Sequence, residues 1–77
     1  MEKVTQVKVL SNYRLEILFN DGVKGVVSLS DRLFGPMLEP LKDPAFFAKA
    51  KVDEFGAIGW PNGADLAPDA LYERLRH

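Results

Sequence analysis

Few side chains in this sequence are equipped for chemistry, and their spacing decides what they can do. The one histidine is His77, the last residue. Histidine is the usual acid–base group near neutral pH, but a group at a fraying chain end is not held in catalytic geometry. His77 is expected to be a solvated terminus, so neither a Ser–His nor a metal–His arrangement has a basis. There is no cysteine, which removes disulfides, thiolate ligands and thiol nucleophiles together. Paired carboxylates come next. Asp53 and Glu54 are neighbours in an expected strand, where successive side chains point to opposite faces, so they do not act together. Asp65 and Asp69 would converge only if the turn before the last helix folds Asp65 back onto the helix start. Their plainer roles are structural: Asp65 caps a turn or helix end, and Asp69 faces the positive end of the helix. The six glycines form neither a phosphate loop nor a dinucleotide fingerprint. No catalytic residue, metal site or cofactor is expected, and the chain is read as a non-enzyme.

What remains is concentrated in Trp60-Pro61-Asn62-Gly63-Ala64-Asp65-Leu66, which holds the only tryptophan. Tryptophan beside a turn is either a core plug or a half-exposed interface anchor, being enriched in binding hot spots. Core is favoured, because a domain this small needs every large side chain inside. If the chain touches a partner, the expected contact is Trp60, Pro61, Asn62, Gly63 and Asp65, with Asp69 and Tyr72 of the following helix. A small-ligand or enzyme site would also have to be built around Trp60, Asp65 and Tyr72. A base-stacking platform needs aromatics interleaved with Lys or Arg on a solvent face. Tyr13 and Phe19 instead share an apolar face with Leu15 and Ile17.

The elements that must position these groups follow from periodicity. Lys3–Leu10 reads as a strand with Thr5, Val7 and Val9 on one face, and Ser11-Asn12 ends it. Tyr13–Phe19 alternates as a second strand. Asn20-Asp21-Gly22 is then a three-residue hairpin loop ending in a left-handed glycine. That loop sets Phe19 opposite Val23 and Ile17 opposite Gly25, so Val23, Gly25, Val27 and Leu29 join the apolar face. A two-residue loop would turn the whole set outward. Gly25 marks a bulge or a close approach by another element. Ser30–Phe34 reads as one helical turn stopped by Gly35-Pro36. The proline-broken Met37–Lys42 connector tucks Leu38 and Leu41 under the sheet. Asp43-Pro44 caps a short helix running to Lys49. Ala50–Phe55 and Ala57–Trp60 make a second hairpin around Gly56. Pro61-Asn62-Gly63 is a turn, and Pro68 opens a helix whose apolar stripe is Pro68, Leu71, Tyr72 and Leu75. Arg74 and Arg76 suit its C-terminal end. The expected fold is α+β: a small antiparallel sheet of about five short strands in two hairpins, packed with two or three short helices, the C-terminal helix last.

The bulk numbers set the frame. Residues 1–77 are enough for a single domain. Hydrophobic residues at 47% and charged residues at 27% are ordinary for a globular chain. A net charge of −1 leaves no basic excess for a phosphate backbone, which disfavours nucleic-acid binding by this domain alone. Met1–Gln6 has no apolar core of a signal peptide, and no run reaches the ~18 apolar residues of a membrane span. With no cysteine, a cytoplasmic location is expected. At least two sheet edges remain open to strand pairing, with Lys3, Lys8 and Lys24 as guards of the first sheet.

The heptapeptide Trp60–Leu66, followed by Pro68 and Leu71-Tyr72, resembles a small bacterial family known as a domain of unknown function, DUF2442. The Phe19-Asn20-Asp21-Gly22 hairpin, the Val27–Leu33 strand and polar turn, and the Leu41-Lys42-Asp43-Pro44-Ala45-Phe46-Phe47 segment agree with it. The resemblance implies a compact α+β domain and carries over no catalytic residue. It also implies a small protein encoded nearby as partner, in arrangements similar to toxin–antitoxin pairs. Some family members add a helix-turn-helix domain, which is not among these residues. The leading expectation is a protein-interaction module, accessory or antitoxin-like, with homo-oligomer formation open. The alternatives are a transcription- or RNA-associated regulator and a small-ligand binder or enzyme at Trp60, Asp65, Asp69 and Tyr72.

Overall fold

The computed structural model describes residues 2–76 and shows an α+β fold. His77 and the side chain of Arg76 lie outside the described residues. The first sheet is an antiparallel meander of β1 (Val4–Leu10), β2 (Arg14–Phe19) and β3 (Lys24–Ser28). A long connection follows, with a 3₁₀ turn at Glu39–Lys42 and the short helix α1 (Pro44–Phe47). The second sheet is another meander, β4 (Lys51–Val52), β5 (Ile58–Gly59) and β6 (Asp65–Leu66). Helix α2 (Pro68–Arg76) ends the described chain and packs against β3.

Alternation builds the first sheet. Leu15, Ile17 and Phe19 of β2 are buried, and Val27 and Leu29 join them from the β3 side. The register places Ile17 opposite Gly25, and Phe19 N–H donates to Val23 O at 2.8 Å, as the three-residue loop requires. Gly25 is a close approach and not a bulge: a side chain there would stand 2.7 Å from Leu75 Cδ2 of α2. Asp43 caps α1 by accepting from Ala45 N–H, and Phe47, Leu41 and Leu33 fill the space under the sheet.

Four expectations are corrected. The first concerns β1, whose register slips between Val4 and Gln6. A bulge adds one residue and flips the facing, so Val4 is buried while Thr5 is exposed and donates its hydroxyl to Leu18 O. The second is Tyr13, which lies in the β1–β2 turn with φ +59°. Its ring meets Phe47 edge-on and its hydroxyl donates to Lys42 O, and these contacts hold the unfavourable backbone. The third is Ser30–Phe34, an irregular turn and not a helical one. Arg32 N–H bonds Leu29 O, but the next bond is from Phe34 N–H to Arg32 O, which no helix continues. The fourth is the strand count: among the described residues six strands form two three-stranded sheets, not about five in two hairpins. Pro61-Asn62-Gly63 reverses the chain as a hairpin loop, so Asp65–Leu66 pairs with β5 before α2 begins.

Three loops of one kind link the strands. In each, a residue at or just past a strand end accepts from the N–H of a glycine three positions on and donates to the carbonyl of the residue after that glycine. These are Phe19 with Gly22 and Val23, Asp53 with Gly56 and Ala57, and Trp60 with Gly63 and Ala64. The glycines have φ of +89°, +78° and +90°, the left-handed position of a three-residue hairpin. Each loop also carries a side-chain acceptor. Asp21 takes Val23 N–H, Asn62 takes Ala64 N–H, and Asp53 takes both Phe55 and Ala57 N–H.

Candidate functional site

The Trp60–Leu66 stretch is built on a buried anchor. Trp60 is 5% exposed, its Nε1–H donates to Phe47 O at 3.0 Å, and its ring lies 5.8 Å from that of Phe47. The indole therefore belongs to the core, and its one donor is already used. What stands at the surface is the loop it holds: Pro61, Asn62 and Gly63 are exposed. The Asn62 side chain works in two directions. Its oxygen accepts from Ala64 N–H and its nitrogen donates to Met37 O at 2.9 Å. The loop after β3 is thereby tied across the hairpin. Met37 is 46% exposed, with Cε near the open face of Gly63, where a side chain would meet it at 3.4 Å. Phe34 of the same connection is 68% exposed. Met37, exposed and laid against a glycine turn, is a contact point of the adaptable kind methionine suits.

The same hairpin also lines an open groove of about 460 Å³, bordered among others by Lys49, Lys51, Gly59, Trp60, Pro61 and Asp65. The pairing Lys51↔Gly59↔Asp65 across the second sheet sets the lysine and the aspartate on one face, either side of the missing side chain of Gly59. Asp65 is thus an exposed strand residue, correcting the expectation that it caps a turn or helix end.

The remaining two candidates lie elsewhere. Asp69 sits in the first turn of α2, where its Oδ1 accepts from Ala70 N–H and its charge suits the helix start. Tyr72 packs edge-on against Phe19 at 4.9 Å, and its hydroxyl donates to Asp21 Oδ2 at 2.7 Å. Neither lines the groove. Sequence reading missed Met37, Lys49 and Lys51, which the fold brings to the turn and its groove, and Phe34, which is marked by its exposure. Among the described residues no group of three or more His, Cys, Asp and Glu could hold a metal ion, and no helix is long and apolar enough to cross a membrane.

The Tyr72–Asp21 bond ties α2 to the first hairpin. The tyrosine hydroxyl, with Val23 N–H second, holds the Asp21 carboxyl below its usual value. A lowered carboxylate pKa adds stability above the unfolded-state value of about 3.9, and this is lost as pH falls through the folded value. The advantage of the wild type over Tyr72→Phe in thermal melts is therefore expected at neutral pH and should shrink below about pH 4. A difference that is constant across that range would remove Asp21 from the account.

Fold and site together define a small α+β domain with two meander sheets, joined by glycine hairpins, that presents a signature turn on a buried tryptophan. A family model described as "Protein of unknown function (DUF2442)" matches residues 4–77. The chain belongs to that family. No curated protein and no solved structure matches it.

Proposed function

We propose that this chain is a non-catalytic protein-interaction module of the cytoplasm, the accessory or antitoxin-like partner of a protein encoded beside it. The observation that supports this reading is the exposed Met37 held at the signature turn. Asn62 clamps the Met37 loop in place, exposed Met37 covers Gly63, and Phe34 projects from the same connection. Trp60 fixes the turn from below, so the contact surface is pre-organised and loses little entropy on binding. Co-expression with the neighbouring gene product is expected to give a complex that survives gel filtration at micromolar concentration. Met37→Asp is expected to weaken it by roughly tenfold or more without altering the fold, since the side chain is exposed. Separate elution of the two wild-type proteins sinks the proposal.

A second reading, a small-ligand binder, is favoured by the groove at Gly59, which Lys49, Lys51 and Asp65 line together. A metabolite screen by thermal shift tests it, with saturable stabilisation expected for a ligand carrying both charges. Absence of any shift counts against it.

A further inference from the structure

The outer edge of β3 is an open pairing surface, and its chemistry selects its occupant. The loop bond from Phe19 N–H to Val23 O and the bond from Leu29 N–H to Tyr13 O fix the alternation along β3. Gly25 and Val27 turn their N–H and C=O groups to β2, so Lys24, Val26 and Ser28 turn theirs away from the sheet. The other edge of this sheet is engaged at its start, where Val4 N–H donates to Gly56 O at 2.8 Å and β4 lies against β1. Among the described residues, one side chain bonds the outward backbone groups of this edge: Arg74 Nη2–H donates to Ser28 O. That carbonyl keeps a second lone pair.

We propose that a second copy of this chain pairs antiparallel along β3, about a twofold axis at Val26. The set Lys24, Val26 and Ser28 is symmetric about Val26, so a register centred there uses every outward group. Val26 exchanges both bonds with the partner's Val26, and Lys24 does so with the partner's Ser28. A shift by two residues in either direction strands part of the edge. Charge agrees with this register. Lys24 meets a serine and not another cation, and its own charge is met by Glu16 at 3.7 Å. On the outer face Val26, 47% exposed, lies beside the partner's Val26, the kind of β-branched pair that stabilises a ladder. The product is a continuous six-stranded sheet with both copies of α2 on one face. The surface is separate from the signature turn, so the two proposals stand or fall independently.

Sedimentation equilibrium of the wild-type chain over a dilution series tests this. Reversible dimer formation at sub-millimolar concentration is expected. Val26→Lys puts like charges directly opposite each other and should raise the dissociation constant by roughly tenfold or more. Val26→Pro removes the central donor while sparing the ladder to β2, and should do the same. Amide exchange on the wild type covers the case in which a variant fails to fold. The N–H groups of Lys24, Val26 and Ser28 should gain protection with concentration, and those of Gly25 and Val27 should not change. A wild type that stays monomeric throughout overturns the proposal, as does a dimer that Val26→Lys leaves intact or edge protection independent of concentration.

Discussion

Trp60→Ala is expected to destabilise the domain by about 3–5 kcal/mol, the usual range for deleting a buried large aromatic side chain. That is a large share of the roughly 5–15 kcal/mol that holds a typical domain folded, and the variant should be largely unfolded at modest urea. Two effects add. The ring is 5% exposed and packs on Phe47, which is itself 2% exposed and meets Tyr13, so its removal opens a void in the middle of the aromatic contacts. The Nε1–H bond to Phe47 O is also lost. Ala50 N–H donates to that same carbonyl at 3.2 Å, so the acceptor is not orphaned and this part stays small, about 1 kcal/mol. Trp60→Phe separates the effects. It keeps most of the apolar volume and loses the donor, and should cost about 1–2 kcal/mol. Urea melts followed by circular dichroism give both values. A loss under about 1 kcal/mol for the alanine variant would mean that Trp60 is not the anchor of the turn.

How much of this was legible before any coordinates depends on the range of the interaction. The first hairpin was open to reading, because its apolar alternation and the Asn20-Asp21-Gly22 loop are local and admit one register. Trp60 as core followed from size alone. The β1 facing was not legible, because the bulge between Val4 and Gln6 is an extra residue in an alternating stretch and leaves no mark on its composition. The sixth strand was hidden for another reason. Two residues, Asp65 and Leu66, are too short to show a period, and Pro68 announces a helix at once. At the candidate site the turn was visible and its neighbours were not. Met37 reaches Asn62 across 25 positions of sequence, and Lys51 shares a sheet face with Asp65 only through the pairing of two strands with Gly59. Tyr72 was placed correctly on the apolar stripe of α2, but its distant partner Asp21 cannot be read from that stripe.

The three hairpin glycines make a controlled comparison of backbone strain and crowding, with Gly56→Ala as the most damaging member. All three have φ near +80° to +90°, so alanine carries the same left-handed penalty at each, about 1–2 kcal/mol. Their surroundings differ. At Gly22 a new Cβ meets nothing within 4 Å; at Gly63 it meets the flexible end of Met37 at 3.4 Å. At Gly56 it meets Lys3 Cβ at 2.6 Å and Lys3 Cα at 3.0 Å. Backbone cannot step aside there, because Lys3 O accepts from Asn20 N–H and the next residue, Val4, donates to Gly56 O. This contact docks the β4–β5 loop on the start of β1, so overpacking adds about 1–3 kcal/mol to the strain. The expected order of loss is Gly22→Ala no greater than Gly63→Ala, with Gly56→Ala at about 2–5 kcal/mol. The emission of buried Trp60 reports all three melts. Equal losses at Gly22 and Gly56 would show that the Lys3 contact yields, and that the two sheets are joined through their shared core and not through this loop.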